Sequence, residues 1–355
     1  MKSIEDYVHL ESKFYQKVMD QRKELFENKF TDIDVSSIDN VVIYATGSSS
    51  NAAFGALPFV SKILGLPVRI EEPSISENYL MNVSENTLCI AISQGGHSYS
   101  VVELVERLQK AGHTVFALTS EDNSPLAEKS DNLLMMGMPI EEMPYVSAGY
   151  SVAILDLILI ALTVSRMNNG ISETTEENYY SLINKIISKV PKVVEQSTCW
   201  VEEKIDQFSK AERIIFIGYG ATYGVAREGE TKITEAVRVS AWGKELEEYM
   251  HGPYLGLHKK DFIVFIEPDG KLQGRANLLK KFLNQHVDNI FTIYANDRTT
   301  DDKDLHLSLE TDELLAALFM TIPIHLLAYR LSKIKKIDLE ASAYPDFDKI
   351  TASKI

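Results

Sequence analysis

Cysteine is nearly absent from this chain: among 355 residues only Cys89 and Cys199 occur. One lies inside an apolar run and the other beside Trp200, with no Cys-x-x-Cys spacing, so a disulfide framework and a cysteine-based zinc site are both excluded. A reducing compartment fits. Positive charge is also scarce, with Lys+Arg at 36 against Asp+Glu at 51 and a formal charge of -15. A nucleic-acid binder would show a basic footprint, and an anionic membrane surface would repel such a chain. Long uninterrupted apolar runs are missing too. The stretch from Val152 to Val164 is broken by Asp156, and the start, MKSIEDYVHLESKFYQ, has no apolar segment of the kind export requires. A cytoplasmic protein without nucleic-acid or membrane partners is expected. There is no His-x-x-x-His or clustered-carboxylate pattern, so neither a metal nor another cofactor is expected.

Hydrophobic residues at 45% and charged residues at 25% are ordinary for a globular protein, and the length suits two domains. After a helical N-terminal segment (1–30), VVIYA (Val41 to Ala45) ends in TGSSSNAA and enters an apolar-periodic helix. LPVRI, TLCIAIS, TVFALT and NLLMMG read as further strands alternating with helices, which predicts a mostly parallel sheet covered on both faces over 31–170. The polar stretch MNNGISETT marks a boundary, and 171–208 reads as a helical connector. A second unit, 209–335, repeats the pattern: RIIFIG runs into YGATYG and a helix, and DFIVFIE, NIFTIYA and LHLSLE supply later strands. The first strands of the two halves are offset by roughly 170 residues, which suggests duplication of one α/β unit. A polar tail, 336–355, must dock or fray.

Three constellations stand out. Thr46-Gly47-Ser48-Ser49-Ser50 sits where a parallel strand becomes a helix, so N–H groups, the positive helix end and hydroxyls converge on a place for an anion. Helix capping is the plain alternative. Ser93-Gln94-Gly95-Gly96-His97-Ser98 forms a second such turn, and two turns can share one phosphate; here too Ser98 could simply cap its helix, and His97 reads as a solvated turn residue. In the second half Glu228, Lys232 and Glu235 fall at i, i+4 and i+7 on one helical face, suited to a sugar or to a solvated ion pair. His251, in YMHGP, is presented by a Gly-Pro turn as an acid/base or as a surface residue.

With ATGSSSNA, AISQGGHSYS, EGETKITE, YMHGP and a lysine-bearing tail in this order, the sequence resembles the sugar isomerase (SIS) superfamily. It is most similar to the isomerase half of glutamine-fructose-6-phosphate aminotransferase and to stand-alone deglycases and deaminases, over nearly the whole chain. The resemblance implies an α/β fold of two tandem SIS domains and a sugar phosphate as ligand. Thr46, Gly47, Ser48, Ser49, Ser93, Gln94, Gly95 and Ser98 then inherit phosphate or hydroxyl binding, Ser147 of YVSAGY a further sugar contact, and Glu228 and Lys232 the pocket lining. Glu235 inherits the role of proton carrier between C1 and C2, and His251 assists ring opening, often from a neighbouring subunit, which implies a homodimer with sites near its interface. Lys349 of FDKIT is the counterpart of the family's carbonyl-engaging terminal lysine, with Lys354 as its rival. Gly95 stands where the synthase has a second serine, and His97 replaces an acidic residue, so phosphate coordination or sugar selectivity is expected to differ.

The chain starts at Met-Lys-Ser and goes directly into the sugar-binding unit, so no glutaminase supplies ammonia and the expected direction is amine loss. A fructosamine or glucosamine-type 6-phosphate would be isomerised and hydrolysed to a hexose 6-phosphate and an amine or ammonia. Protons next to an imine or carbonyl are acidic enough for a buried carboxylate to remove, and a lysine amine can condense with the carbonyl. Simple aldose/ketose isomerisation and non-catalytic sugar-phosphate sensing are the alternatives.

Overall fold

In a computed structural model, described for residues 1–298 and 301–355, the chain carries two five-stranded, wholly parallel sheets. Two compact units hold them. One comprises Lys13–Glu142, Val152–Ser181 and Ala341–Ile355, the other Met1–Ser12, Met143–Ser151 and Leu182–Glu340. Neither is one continuous block. The tail joins the unit of the first sheet, and the first residues of the chain join that of the second.

The elements of the first half are α1 (Ile4–Leu25), β1 (Asn40–Tyr44), α2 (Gly47–Leu64), β2 (Val68–Glu71), α3 (Pro73–Tyr79), β3 (Thr87–Ile92), α4 (Tyr99–Lys110), β4 (Val115–Thr119), α5 (Pro125–Lys129), β5 (Asn132–Met135) and α6 (Ala148–Met167). The sheet order is β2-β1-β3-β4-β5, with Val41 in register with Val68 on one side and Leu88 on the other. Strands β3 and β4 are buried along their whole length, as β-branched and apolar runs covered on both faces must be. One side of the core joins Val42, Tyr44, Cys89 and Ala91 to Val101, Val105 and Leu108 of α4.

A 36-residue helix, α7 (Glu173–Phe208), leads to the second half. There follow β6 (Arg213–Gly218), α8 (Ala221–Lys232), β7 (Ser240–Glu245), α9 (Leu246–Met250), β8 (Phe262–Glu267), α10 (Gln273–Leu283), β9 (Asn289–Tyr294), β10 (Leu305–His306), α11 (Ala317–Met320), α12 (Ile322–Ile334) and, in the tail, α13 (Phe347–Thr351). The order β10-β9-β8-β6-β7 repeats the first sheet strand for strand. LHLSLE, expected as a strand, pairs only at Leu305 and His306; Ser308 then turns to φ 49° and ends the ladder. A strand over SAWGKE, β7, was not expected from the pattern. Only Ala241 and Gly243 of its six residues are fully buried, so the usual apolar run is missing.

Helix α6 is long and apolar enough to cross a membrane, but its span is buried within the protein, as in a core helix. Burial holds the Asp156 carboxyl well above the usual carboxylate range, and neither oxygen finds a hydrogen-bond partner among the described residues. The folded chain therefore keeps a proton that the unfolded chain releases above about pH 3.9, so stability falls as pH rises from there towards the folded value. Asp156→Leu should raise the urea midpoint. Its advantage should widen with pH, by on the order of 1.4 kcal/mol per pH unit inside that window; a gap that stays constant or narrows would contradict this account.

Candidate functional site

The order β2-β1-β3 makes the crevice between the carboxyl ends of β1 and β3 the place where the chain turns to opposite sides of the sheet, the usual ligand position in such folds. The turns after β1 and β3 are the two hydroxyl-rich loops. Gly47 opens α2 at φ 58°, a left-handed conformation with no neighbour within 4 Å of a Cβ, so glycine is there for the backbone turn. Gly96, at φ 68°, is needed twice over, because a Cβ would lie 2.0 Å from Ser124 Oγ. The Gln94 carbonyl accepts from Thr119 Oγ1 at 2.9 Å and from Ser120 N at 2.8 Å, which ties this loop to the end of β4.

Side chains cap some helices and not others, with α3, α8, α10 and α12 among those without such a bond. Ser124 accepts from Ala127 N, and Glu245 from Glu247 N and Glu248 N, each closing its own helix. Thr46 and Ser98 occupy the equivalent positions of α2 and α4 with extended backbones and make no such bond. The first N–H groups of α2 and α4 thus have no side-chain cap, a condition that favours an anion, although in α4 the tail meets Tyr99 N. Thr46 and Gly47 are exposed, Ser48, Ser49, Gly95 and Ser98 half-buried, and Ser93 and Gln94 buried.

The tail docks on the second loop. Ser98 and Lys354 form an antiparallel bridge, Tyr99 N donates to Ser353 O at 3.3 Å, and Ile355 N donates to His97 O at 3.1 Å. His97, expected to be solvated, is exposed but its Nδ1 lies 2.5 Å from the Ile355 main-chain oxygen. Because that oxygen only accepts, Nδ1 carries the hydrogen. Lys354 therefore runs beside the loop, its Nζ 3.7 Å from Asp348, whereas Lys349 is exposed on α13 with no ion pair or hydrogen bond among the described residues.

The second constellation lies in the other unit, where α8 approaches its sheet unusually closely. A Cβ at Gly243 would stand 2.2 Å from the Ala226 carbonyl, and one at Gly229 would stand 2.7 Å from the Phe216 ring. That approach removes water from Glu228 and Lys232, which are 0% and 1% exposed. The helix then widens into a π turn over Ile233–Val237, closed by Arg238 N donating to Ile233 O at 3.0 Å, with Arg238 left-handed at φ 59°. Such single π turns recur at functional sites. This one carries Glu235, 32% exposed, to the edge of the buried cluster, where Lys232 Nζ donates to its Oε1.

Lys232 Nζ also lies 3.3 Å from Glu228 Oε1. Burial alone would push the lysine amine down, but the two carboxylates outweigh it and hold it above its ordinary value. Burial likewise pushes the Glu235 carboxyl up, while Lys232 pulls it back. The solvated ion pair that the i, i+4 spacing also allowed is not what forms. Two residues with no sequence signal of function join this cluster: His325 of α12, 3.5 Å from Glu228, and Tyr150, whose ring meets His325 edge to face. Both sit in apolar helices and read from sequence as core. Ser147, fully buried, starts α6 as the acceptor for Tyr150 N at 3.2 Å. His251 ends α9 on an exposed turn, its Nδ1 2.8 Å from the Glu247 carbonyl, which leaves Nε2 as the acceptor of the neutral ring. No hydrogen bond or ion pair joins it to Glu235 among the described residues.

A family model for the SIS domain matches residues 35–166 and again 207–334. The glutamine–fructose-6-phosphate aminotransferase (isomerizing) of Francisella tularensis is 24% identical over 325 residues, covering 90% of this chain and 51% of the relative. The chain thus spans about half the length of the curated relatives it matches. Among solved structures, a candidate phosphosugar isomerase from Clostridium difficile superposes with a TM-score of 0.90 at 22% identity, covering 99% of this chain and 98% of that one. A glucosamine-6-phosphate deaminase from Thermotoga maritima does so with a TM-score of 0.70 at 20% identity, covering 94% and 98%. Matched twice by one domain model and carrying the same strand order in both halves, the chain belongs to the SIS-domain family.

Proposed function

We propose that this protein is a phosphosugar-processing enzyme that releases an amine from an amino-sugar 6-phosphate by moving a proton between C1 and C2. The observation that carries the reading is Glu235: a partly exposed carboxylate, pushed up by burial, beside a buried lysine whose charge a second carboxylate already balances. A group that must take and return a proton near neutral pH needs that kind of environment. The amine-handling names of the aminotransferase and deaminase relatives favour nitrogen chemistry over plain isomerisation.

For a fructosamine-type substrate, Glu235 takes a proton from C1 and the same proton is returned at C2, while the proton on nitrogen is lost and the C2 oxygen gains one, so the C2 carbonyl becomes an alcohol and C1 an imine. Water adds to the imine and the C–N bond breaks, giving an aldose 6-phosphate and the free amine. For open-chain glucosamine 6-phosphate the proton moves from C2 to C1 while nitrogen loses one proton and the C1 oxygen gains one, and water then hydrolyses the C2 imine to a ketose 6-phosphate and ammonia. Thr46, Gly47, Ser48, Ser49, Ser93, Gln94, Gly95 and Ser98 hold the phosphate and hydroxyls in this reading, and Ser147, Glu228 and Lys232 line the sugar. His251 offers Nε2 for ring opening. A tail lysine engages the carbonyl: Lys349 has the uncommitted amine, while Lys354 lies beside the loop.

The working form in this reading is a homodimer with its sites near the interface. Leu255, Leu278 and Phe282 support it, being 77%, 59% and 41% exposed around the turn that follows His251, with Tyr254 and Phe282 in ring contact. Sedimentation should give a dimer that Leu255→Asp with Leu278→Asp dissociates; a monomeric parent protein would remove this part of the reading.

Incubation with fructoselysine 6-phosphate and glucosamine 6-phosphate, following hexose 6-phosphate and amine, tests the chemistry. Glu235→Gln should cut turnover by about 10²- to 10⁴-fold with little change in sugar-phosphate affinity. Absence of amine release alongside hydrogen exchange, at C1 of the fructosamine or C2 of glucosamine 6-phosphate, would shift the reading to aldose/ketose isomerisation. Calorimetry with fructose 6-phosphate addresses the loops separately. Ser98→Ala removes one hydrogen bond to a charged group and should weaken binding about 10- to 100-fold; unchanged affinity would take Ser98 out of the phosphate set.

A further inference from the structure

The buried cluster does not end at Glu228. Beyond it lies His325, with no exposed surface, its Nε2 3.5 Å from Glu228 Oε1 and its ring edge-on to Tyr150 at 5.9 Å. Neither ring nitrogen has a hydrogen-bond partner among the described residues. An imidazole is a costly way to fill an apolar core if both nitrogens go unused, since a leucine would fill similar space without that loss. The groups of other elements that face this region are Glu228 and Lys232 of α8, Glu235 of the π turn, Tyr150 of α6, and Glu11 of α1, whose Oε1 accepts from Ser151 Oγ at 3.2 Å. Burial drives the His325 imidazole towards its neutral form, against the pull of Glu228. A neutral ring has one N–H to give, and Glu228 is the carboxylate within reach.

We propose that His325 is a positioning residue for Glu235: as the neutral Nε2–H tautomer it faces Glu228 across 3.5 Å, favours the ionised form of that carboxylate, and so keeps Lys232 charged and in place. The consequence is specific to proton transfer. When Glu235 is protonated it stops balancing Lys232, and an ionised Glu228 must carry that task alone. Without His325, Glu228 more readily takes up a proton, the full charge of Lys232 falls on Glu235, and Glu235 becomes a weaker base. The inference rests on the reading of Glu235 as the proton carrier, but the linkage itself can be measured without substrate.

His325→Gln sets an amide N–H near the position of Nε2, and His325→Leu removes both nitrogens at similar volume. Carbon-13 carboxyl NMR of Glu235 should show it titrating at least one pH unit lower in the Leu variant, and within a few tenths of a unit of the unaltered protein in the Gln variant. Hydrogen exchange at C1 of fructose 6-phosphate in deuterium oxide should fall tenfold or more for Leu and less than threefold for Gln, with fructose 6-phosphate affinity changing less than twofold in both. A Glu235 titration unmoved in the Leu variant would overturn the proposal. If that titration moves while even the unaltered protein exchanges no hydrogen, the His325 linkage holds and the proton-carrier reading fails. Should the Leu variant not fold, nitrogen-15 shifts of the unaltered protein decide: a neutral Nε2–H ring from pH 5 to 8 supports the proposal, and a charged or Nδ1–H ring overturns it.

Discussion

Much of the second-sheet unit depends on keeping a full positive charge, Lys232, where water does not reach. A lone buried ammonium would lose its proton or unfold its surroundings, since its desolvation penalty in a protein interior is several kcal/mol. Two carboxylates meet it, Glu228 from one turn back and Glu235 from three residues on. Two carboxylates around a single ammonium bear one excess negative charge. That excess is most easily relieved at Glu235, the member with access to solvent. The cluster is thus arranged so that the residue able to exchange a proton with a ligand is also the one whose protonation restores neutrality.

The backbone is what brings the charges together. An ordinary α-helical continuation of α8 would keep turning at 100° per residue; the extra residue of the π turn changes that phase between Lys232 and the start of β7. Close seating of α8 on β6 and β7 is bought by Gly229 and Gly243, where any side chain would strike the Phe216 ring or the Ala226 carbonyl. Glu230 fixes the same seating one turn beyond Ala226, its carboxylate accepting from Gly243 N at 2.6 Å. Within five residues, then, Glu228 and Lys232 face the buried cluster while Glu230 reaches the neighbouring strand.

How much of this could be read from the sequence follows from where the information lies. Strands β1, β3, β6 and β8 are apolar runs ending in glycine- or hydroxyl-containing turns, so hydrophobic pattern and local backbone chemistry agree and both sheets could be anticipated. Strand β7 could not, because Gly243 is buried for the sake of α8 and leaves no apolar pattern behind. The spacing of Glu228, Lys232 and Glu235 placed them on one face without saying whether the face was wet. Burial is a tertiary property, set by α12 and α6, which are distant in sequence. His325 and Tyr150 were unreadable for the same reason: a polar residue in an apolar helix acquires meaning only from what it meets.

The two halves share one strand order but not one loop chemistry, and the difference shows what duplication leaves free. In the second sheet, the turn after β8 has its polar groups met from within: Gly270 N donates to Tyr219 Oη at 3.3 Å, Lys271 N donates to Glu313 Oε2 at 3.0 Å, and Lys280 lies 3.2 Å from Glu267. Glu313 presses so closely on Gly270 that a Cβ there would clash. A carboxylate of the chain itself thus sits at the turn after β8, whereas the corresponding turn of the first sheet, after β3, meets the tail, with Tyr99 N donating to Ser353 O at 3.3 Å. The first half leaves the hydroxyls of Thr46 and Ser98 out of capping at its two turns, while the second devotes α8 to the lysine and its carboxylates. One topology supports both because strand order fixes only where the turns lie, whereas a few side chains decide whether each turn receives a ligand or satisfies itself.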